Sequence, residues 1–183
     1  MEVALSWAGP FVVVPQPGFE CVFDHPQTRG PGLYLWTVEF NGGYLVNYVG
    51  ETGRDLRSRL VEHVAWSFGG REGAVSNPEQ FRQGRLVPLA TFTITEFLAD
   101  YPRLSAAIYE VYRAYRMFIA PIEIEEGVRK HVEGGIIRAL RSVGGPVAAF
   151  LGNTRLIGGS PDPLSVRFVS GQRLHGLGEV IDC

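Results

Sequence analysis

The sequence predicts an α+β fold in which helices flank a small, mainly antiparallel three-stranded sheet, forming compact α/β layers. Three observations indicate this class: a β-hairpin pattern, a change to helical periodicity directly after it, and two long amphipathic patterns further on. The chain has 183 residues, of which 45% are hydrophobic, which is enough to bury one core and short for two. We therefore expect a single domain over residues 1–183.

The hairpin is predicted from two runs of aromatic and β-branched residues on either side of a turn. Leu33–Phe40 and Tyr44–Val49 flank Asn41–Gly43, and an Asn-Gly-Gly sequence favours a tight chain reversal. A short strand is also expected at Phe11–Pro15, and a third strand at Arg85–Thr95, where the pattern alternates.

A helix is predicted directly after the hairpin. Leu56, Leu60 and Val64 recur every four residues, which places them on one helix face. Thr52 precedes this run with Asp55 three residues on, an arrangement that resembles a capping box with the shorter acid.

Two further helices, one long loop and one short strand at Ser165–Val169 complete the predicted elements. Apolar residues at helical spacing cover Leu104–Phe118, where Pro121 ends the pattern, and Val128–Val143, where Gly144–Pro146 ends it. The glycines and polar residues of Ser67–Gly84 are typical of a loop.

Composition excludes several classes of protein. The formal charge is −2 and the isoelectric point about 6.1, so an electrostatic grip on nucleic acid by the whole surface is not indicated. Two cysteines, Cys21 and Cys183, form neither a disulfide framework nor a metal-binding cluster. No apolar run approaches the ~20 residues of a membrane helix, and the first residues lack the pattern of a signal peptide. We therefore expect a cytoplasmic protein with no membrane partner.

One series of motifs points to a function. In order along the chain, these are Gly32-Leu33-Tyr34 and Tyr48-Val49-Gly50 in the hairpin, Arg59 and His63 on the helix, Glu133 followed by Ile136 and Ile137, and Asn153. In this order, and on these predicted elements, the chain resembles the GIY-YIG nuclease family. Leu33 and Val49 stand where the family has isoleucine, and both are apolar replacements at positions that pack.

The resemblance covers residues 32–153, which are therefore the predicted nuclease core. Residues 1–31 and 154–183 are then an N-terminal and a C-terminal extension. The span from Arg59 to Glu133 is longer than in the family and implies an insertion, which we place at Trp66–Gly84.

The resemblance also implies roles for individual residues. Glu133 would hold a divalent metal, Mg²⁺ or Mn²⁺, and Mg²⁺ binds well through one carboxylate while keeping several waters. Tyr34 would activate the attacking water, which requires a nearby cation because the pKa of a free tyrosine is near ~10. Arg59 would clamp the scissile phosphate, and Tyr48 and His63 would support these groups.

Two further groups of residues accompany the predicted catalytic set. Positive charge is concentrated near the motifs, so nucleic-acid binding is expected at Arg54, Arg57, Arg138 and Arg141. Structural support is expected from Gly32, Gly50 and Asn153. No separate recognition module is visible, so target choice would come from the insertion, from DNA structure or from a protein partner.

Ordinary structural roles remain open for the same residues. Both tyrosines could be plain sheet aromatics, and Arg59 could pair with Asp55 on a solvated helix edge. Glu133 could belong to an ion-pair stripe with Glu125 and Arg129. Against that stand Gly134 and Gly135, because two glycines inside a helix favour a close approach of this helix to the sheet.

The predicted function is a metal-dependent endonuclease of the GIY-YIG type that cuts DNA, with RNA as the less favoured substrate. The alternative is a module with the same fold that binds nucleic acid or protein without cutting. The near-neutral charge suits the alternative, and the complete set of catalytic positions favours the nuclease.

Overall fold

The computed structural model describes residues 2–152 and 163–182. Asn153, predicted as a supporting residue, lies outside the described residues. Everything below refers to the described ranges.

The α+β class is confirmed, but the prediction of a small three-stranded antiparallel sheet is wrong. The main sheet contains six strands in the order β3-β2-β6-β1-β7-β8: β1 Glu2–Phe11, β2 Gly32–Phe40, β3 Gly43–Thr52, β6 Arg116–Pro121, β7 Ser165–Ser170 and β8 Val180–Asp182. It is mixed, since β1 pairs in parallel with β7 and antiparallel with β6. Strands β4 (Ala74–Ser76) and β5 (Pro88–Thr91) form a second, two-stranded sheet.

Six α-helices connect or cover these strands in the part of the chain that the structure describes. They are α1 Leu56–Phe68, α2 Pro78–Arg82, α3 Ile94–Ala99, α4 Tyr101–Ala114, α5 Glu126–Val143 and α6 Gly145–Phe150. One turn of 3-10 helix covers Pro26–Thr28.

The predicted hairpin is confirmed as β2 and β3, which pair antiparallel along their length. Asn41 and Gly42 have φ angles of 43° and 71°, the left-handed conformation that tight hairpin turns need and that Asn-Gly sequences favour. The register pairs Tyr34 with Gly50 and Trp36 with Tyr48. Both tyrosines therefore lie on one face of the sheet.

Two strand predictions and one helix end are wrong, whereas the short strand predicted at Ser165–Val169 is confirmed as β7. The first strand spans Glu2–Phe11 rather than Phe11–Pro15, and its alternating buried residues had a readable period of two. Of Arg85–Thr95, only Pro88–Thr91 is a strand, and it belongs to the small sheet. The third strand next to the hairpin is instead β6, which continues the apolar pattern that predicted a helix to Phe118. A strand buried on both faces is continuously apolar, and periodicity alone cannot distinguish it from a helix.

The start of α1 and the predicted insertion also differ from expectation. Asp55, rather than Thr52, is the N-cap, and its side chain accepts the Ser58 N–H at 2.9 Å. The segment Ser67–Gly84 is not one loop, because α1 continues through Phe68 and the segment then forms β4 and α2.

The two faces of the sheet carry different helices. Leu33 and Leu35 of β2 face the core that includes Ile136 of α5. The alternate residues of β2, Tyr34 and Trp36, face the core that contains residues of α1 and α4. The catalytic residues predicted on α1 and on α5 thus approach the sheet from opposite faces. Between them lies β3, which is the edge strand at one end of the sheet.

Candidate functional site

The two hairpin tyrosines form the floor of the site. Tyr34 is fully buried, and its ring stacks on that of Tyr48 with 6.1 Å between centroids. A Cβ atom on Gly50 would lie 2.4 Å from the Tyr34 hydroxyl oxygen, so a larger residue there would displace the ring. Gly32 has a similar restriction, because its Cβ would lie 2.5 Å from the Ala120 carbonyl oxygen in β6. Both motif glycines therefore permit close approaches.

Helix α1 brings His63 onto the tyrosines. His63 Nε2 lies 2.8 Å from the hydroxyl oxygen of Tyr34, within hydrogen-bonding distance. The imidazole also meets the Tyr48 ring edge-on, with centroids 5.4 Å apart. Since the Asp55 cap fixes where α1 begins, it also fixes which face of the helix His63 occupies.

Both partners of the Tyr34–His63 hydrogen bond are uncharged near pH 7. Burial and the neighbouring Tyr48 raise the pKa of Tyr34 well above its ordinary value, although Arg59 opposes the shift. Burial and then Arg59 lower the pKa of His63 to about 4. Tyr34 therefore does not ionise on its own, and a neutral His63 with its proton on Nδ1 would accept a hydrogen bond from the Tyr34 hydroxyl at Nε2.

Arg59 is the cation of this cluster. It lies close enough to the hydroxyls of Tyr34 and Tyr48 to interact electrostatically with both. Its Nη1 also pairs with Glu62 Oε2 at 3.2 Å, and its guanidinium lies 5.0 Å from the centroid of the Trp66 ring. The alternative pairing of Arg59 with Asp55 does not form, since the Asp55 side chain caps the helix instead. These contacts hold the guanidinium beside the tyrosines.

Glu133 approaches the same end of the sheet from α5. The residue is 5% exposed, and within the described ranges its Oε2 is buried without a hydrogen-bond partner. Burial and then the Glu51 carboxylate raise the pKa of Glu133 to about 7, while the Glu51 backbone, Lys130 and Arg59 oppose the shift. The Glu133 charge in turn raises the pKa of Tyr48, after burial. The carboxylate and the tyrosine are therefore neighbours.

The ion-pair stripe of Glu125, Arg129 and Glu133, which the sequence left open as the alternative, does not form. Arg129 pairs with Glu51 of β3 through Nε and donates from Nη1 to the Ile124 carbonyl oxygen at 2.9 Å. A Cβ on Gly53 would lie 2.5 Å from Arg129 Nη2, so the guanidinium packs against the chain at that glycine. Sequence reasoning did not find this pair, and no local signal could have, because the two residues lie 78 positions apart.

The site fits a divalent cation held through one carboxylate. Glu133 offers a buried oxygen that lacks a partner among the described residues, whereas Glu51 is engaged by Arg129. Over the same residues no group of three or more His, Cys, Asp or Glu side chains is placed to hold a metal. That is compatible with Mg²⁺, which uses one or two carboxylates together with substrate oxygens and water.

Of the predicted nucleic-acid-binding arginines, Arg54 is linked to this cluster through Glu62, the carboxylate that also pairs with Arg59, and the other three are exposed on their helices. Arg54 pairs with Glu62 at 2.8 Å, and Arg57 is exposed on α1. Arg138 and Arg141 are exposed on α5. Five residues of helix rotate by about 500°, which turns Arg138 roughly 140° away from Glu133.

Sequence reasoning missed an aromatic cleft beside the cluster. The cleft has a volume of about 710 Å³, and Tyr48, Arg59 and His63 line one side of it. Trp36 and Trp66 line it as well, each meeting the His63 ring edge-on at centroid distances of 5.9 and 5.8 Å. The signal for it was the number of aromatic residues on β2, α1 and α4. We call it the aromatic cleft below.

Comparison with known proteins adds no identification. No family model matches the chain, and no curated protein or solved structure matches it. The resemblance to GIY-YIG nucleases therefore remains a prediction that rests on the order of its motifs. In the described ranges, no helix is both long and apolar enough to cross a membrane.

Proposed function

We propose that this protein is a metal-dependent endonuclease that hydrolyses phosphodiester bonds of DNA. One observation carries the proposal: Tyr34, Tyr48, Arg59 and His63 converge at the end of the sheet where Glu133 presents a buried carboxylate. The order of the motifs predicted that these five side chains lie together. Phosphodiester hydrolysis needs a group that activates water, a cation at the phosphate and a carboxylate that can hold a metal. DNA ranks before RNA as the substrate, and the cytoplasm is the proposed location.

The hydrogen bond between Tyr34 and His63 supplies a route for the proton. As the water oxygen bonds to phosphorus, the water gives a proton to the Tyr34 hydroxyl oxygen. Tyr34 at the same time passes its phenolic proton to His63 Nε2, 2.8 Å away. Tyr34 thus activates the water without first becoming a phenolate, which its raised pKa disfavours.

The charged groups act on the phosphate. Arg59, held beside the tyrosines, donates hydrogen bonds to the non-bridging oxygens as their charge grows while the bond to the leaving oxygen breaks. Glu133 would hold Mg²⁺ or Mn²⁺ through its carboxylate, and a bound divalent cation supplies charge neutralisation at the phosphoryl and leaving oxygens. Tyr48 orders the cluster by stacking on Tyr34.

The test is nicking of supercoiled plasmid in Mg²⁺ or Mn²⁺, with EDTA as the blank. Wild type is compared with Glu133→Gln, which keeps the shape of the side chain but removes the charge that would hold the metal. The matched control is Glu123→Gln, an exposed glutamate outside the cluster. We expect Glu133→Gln to reduce cutting by at least about 100-fold and Glu123→Gln to leave it unchanged.

Other outcomes would contradict the proposal. Equal cutting by wild type and Glu133→Gln would mean that the activity is not that of this site. Absence of cutting by a folded wild type that still binds DNA would favour the non-cleaving module instead. Absence of both cutting and binding would remove nucleic acid from consideration.

A further inference from the structure

We propose that the aromatic cleft binds one unpaired nucleobase next to the scissile phosphate. This inference rests on the proposed nuclease function and narrows its substrate to DNA in which a nucleotide is unpaired, as in a bulge or a single strand. The position of the cleft, its rings and its polar groups all support this assignment.

The position of the cleft favours a neighbour of the reacting phosphate. Tyr48, Arg59 and His63 belong both to the cleft wall and to the catalytic cluster. A phosphate held at Arg59 therefore places the attached nucleotide at the cleft entrance. The volume, about 710 Å³, lies in the range of pockets that enclose one small ligand and is far too small for a base-paired duplex.

The rings of the cleft suit a base. Trp66 carries two guanidinium groups near its ring, with Arg59 at 5.0 Å and Arg71 at 5.1 Å from the centroid. Aromatic rings and guanidinium planes are the surfaces on which proteins stack unpaired bases. Arg71 lies on the segment after α1, so the part of the chain that we predicted as an insertion contributes to this surface.

The polar groups of the cleft also indicate a ligand. Tyr115 donates to Asn47 Oδ1 at 2.7 Å, and the hydroxyls of Tyr112 and Ser67 bond each other at 2.8 Å. The indole Nε1 of Trp36, by contrast, is a buried donor without a partner among the described residues, in a side chain 3% exposed. Trp36 lines the cleft, so a base in the cleft would bring acceptor atoms near this donor. A base inside a duplex could not enter the cleft without leaving the stack.

Two variants change the cleft without touching the catalytic cluster. Ala74→Trp places a large ring at an exposed position of β4 that lines the cleft. Arg71→Ala removes one of the two guanidinium groups beside Trp66. The matched controls are Leu89→Trp, on exposed β5 outside the cleft, and Arg103→Ala, an exposed arginine on α4.

The experiment measures DNA binding in EDTA, so that no cutting occurs. Three probes carry one 2-aminopurine each: a fully paired duplex, the same duplex with the 2-aminopurine as a single-base bulge, and the single strand. Fluorescence anisotropy gives the affinities, and 2-aminopurine fluorescence reports stacking. We expect wild type to bind the bulge and the single strand about tenfold more tightly than the duplex, since one base stack contributes on that order. Ala74→Trp and Arg71→Ala should lose this preference, and both controls should keep it, with folding of each variant checked by circular dichroism.

The result separates this inference from the nuclease proposal. Equal affinity for all three probes, absence of binding to any, or a preference that survives Ala74→Trp would overturn the cleft assignment. If plasmid cutting still depends on Glu133 in that case, the nuclease proposal stands alone. If the preference is lost in Ala74→Trp but no cutting occurs, the cleft assignment stands and the nuclease proposal fails.

Discussion

Two carboxylates lie side by side where β3 meets α5, and they differ in how their charge is compensated. Glu51 pairs with Arg129, whose side chain is 6% exposed. Glu133, 5% exposed, has an oxygen that finds no partner in the described part of the chain. A buried charge without a partner destabilises the folded state, so it persists where function needs it. Glu51 thus helps to hold α5 against β3, whereas Glu133 keeps one carboxylate oxygen unpaired among the described residues.

Arg129 links the two. Its bond to Glu51 joins α5 to β3, and it precedes Glu133 by one turn of the same helix. The structural pair thus positions Glu133, the proposed metal ligand. It also keeps the Arg129 guanidinium, the nearest one on the same helix, from neutralising Glu133.

The largest expected effect comes from breaking the structural pair. Arg129→Met leaves Glu51 buried without its cation, and loss of one partner of a buried pair lowers stability by about 3–5 kcal/mol. Urea denaturation at pH 7.5 measures this loss. Arg138→Met, at an exposed position on the same helix, is the control and should change the free energy of unfolding by less than about 0.5 kcal/mol. Equal losses in the two variants would mean that the Glu51–Arg129 pair does not hold α5.

Replacing Glu133, unlike replacing Arg129, is expected to raise the free energy of unfolding. Its folded pKa of about 7 exceeds the unfolded value, so its stabilising contribution is complete below about pH 4.5 and is lost as pH rises through 7. Glu133→Gln removes that loss. The change in the free energy of unfolding caused by this substitution should therefore be more favourable at pH 8 than at pH 4.5, by on the order of 3 kcal/mol.

His63 also contributes to the pH dependence of stability, and its pKa shift has the opposite sign to that of Glu133. Its pKa falls to about 4, so its contribution is present above the unfolded pKa and is lost as pH falls through the folded one. Between about pH 4.5 and 6.5 the two residues therefore oppose each other in the wild type. In Glu133→Gln the stability should rise with pH over that window. A curve parallel to wild type would show that Glu133 has an ordinary pKa.

Local sequence signals predicted only part of this fold. The Asn-Gly turn and the alternating runs placed β2 and β3, because hairpins are determined by neighbouring residues. They did not place β1 between β6 and β7, since that pairing joins chain segments more than 100 residues apart. Strand β6 was taken for helix because both of its faces are buried.

In the candidate site, too, local sequence signals predicted the features set by neighbouring residues and missed those set by long-range packing. The spacing of Arg59 and His63 on one helix predicted which side chains of α1 would lie together, and hairpin register then brought them to the tyrosines. The Glu51–Arg129 pair depends on tertiary packing, so no local pattern contained it. For the aromatic cleft the sequence showed only the number of aromatic residues on β2, α1 and α4, and not that they line one cavity. The spacing of four residues between Arg129 and Glu133 is typical of a surface ion pair, whereas Glu133 is buried.

A smaller effect is expected on the pH dependence of cutting. Because Glu133 must lose its proton to hold a metal, the rate should fall about tenfold per pH unit below pH 7 and level off above it. His63 stays neutral over this range and adds no second limb until the pH approaches 4. Single-turnover cutting at one fixed, subsaturating Mg²⁺ concentration between pH 5.5 and 8.5 measures the profile, because saturating metal would displace the proton from Glu133. A rate independent of pH there would exclude Glu133 as the group that titrates.

The smallest effect tests whether the two carboxylates influence each other. In the double variant Glu51→Gln with Arg129→Met, both members of the structural pair are neutral, so much of the stability lost in Arg129→Met should return. The Glu51 charge, which raises the pKa of Glu133 second only to burial, is then absent. The midpoint of the cutting profile should therefore move to lower pH, while the slope below it stays the same. An unchanged midpoint in a folded, active double variant would mean that burial alone raises the pKa of Glu133, and that the two carboxylates are neighbours without being coupled.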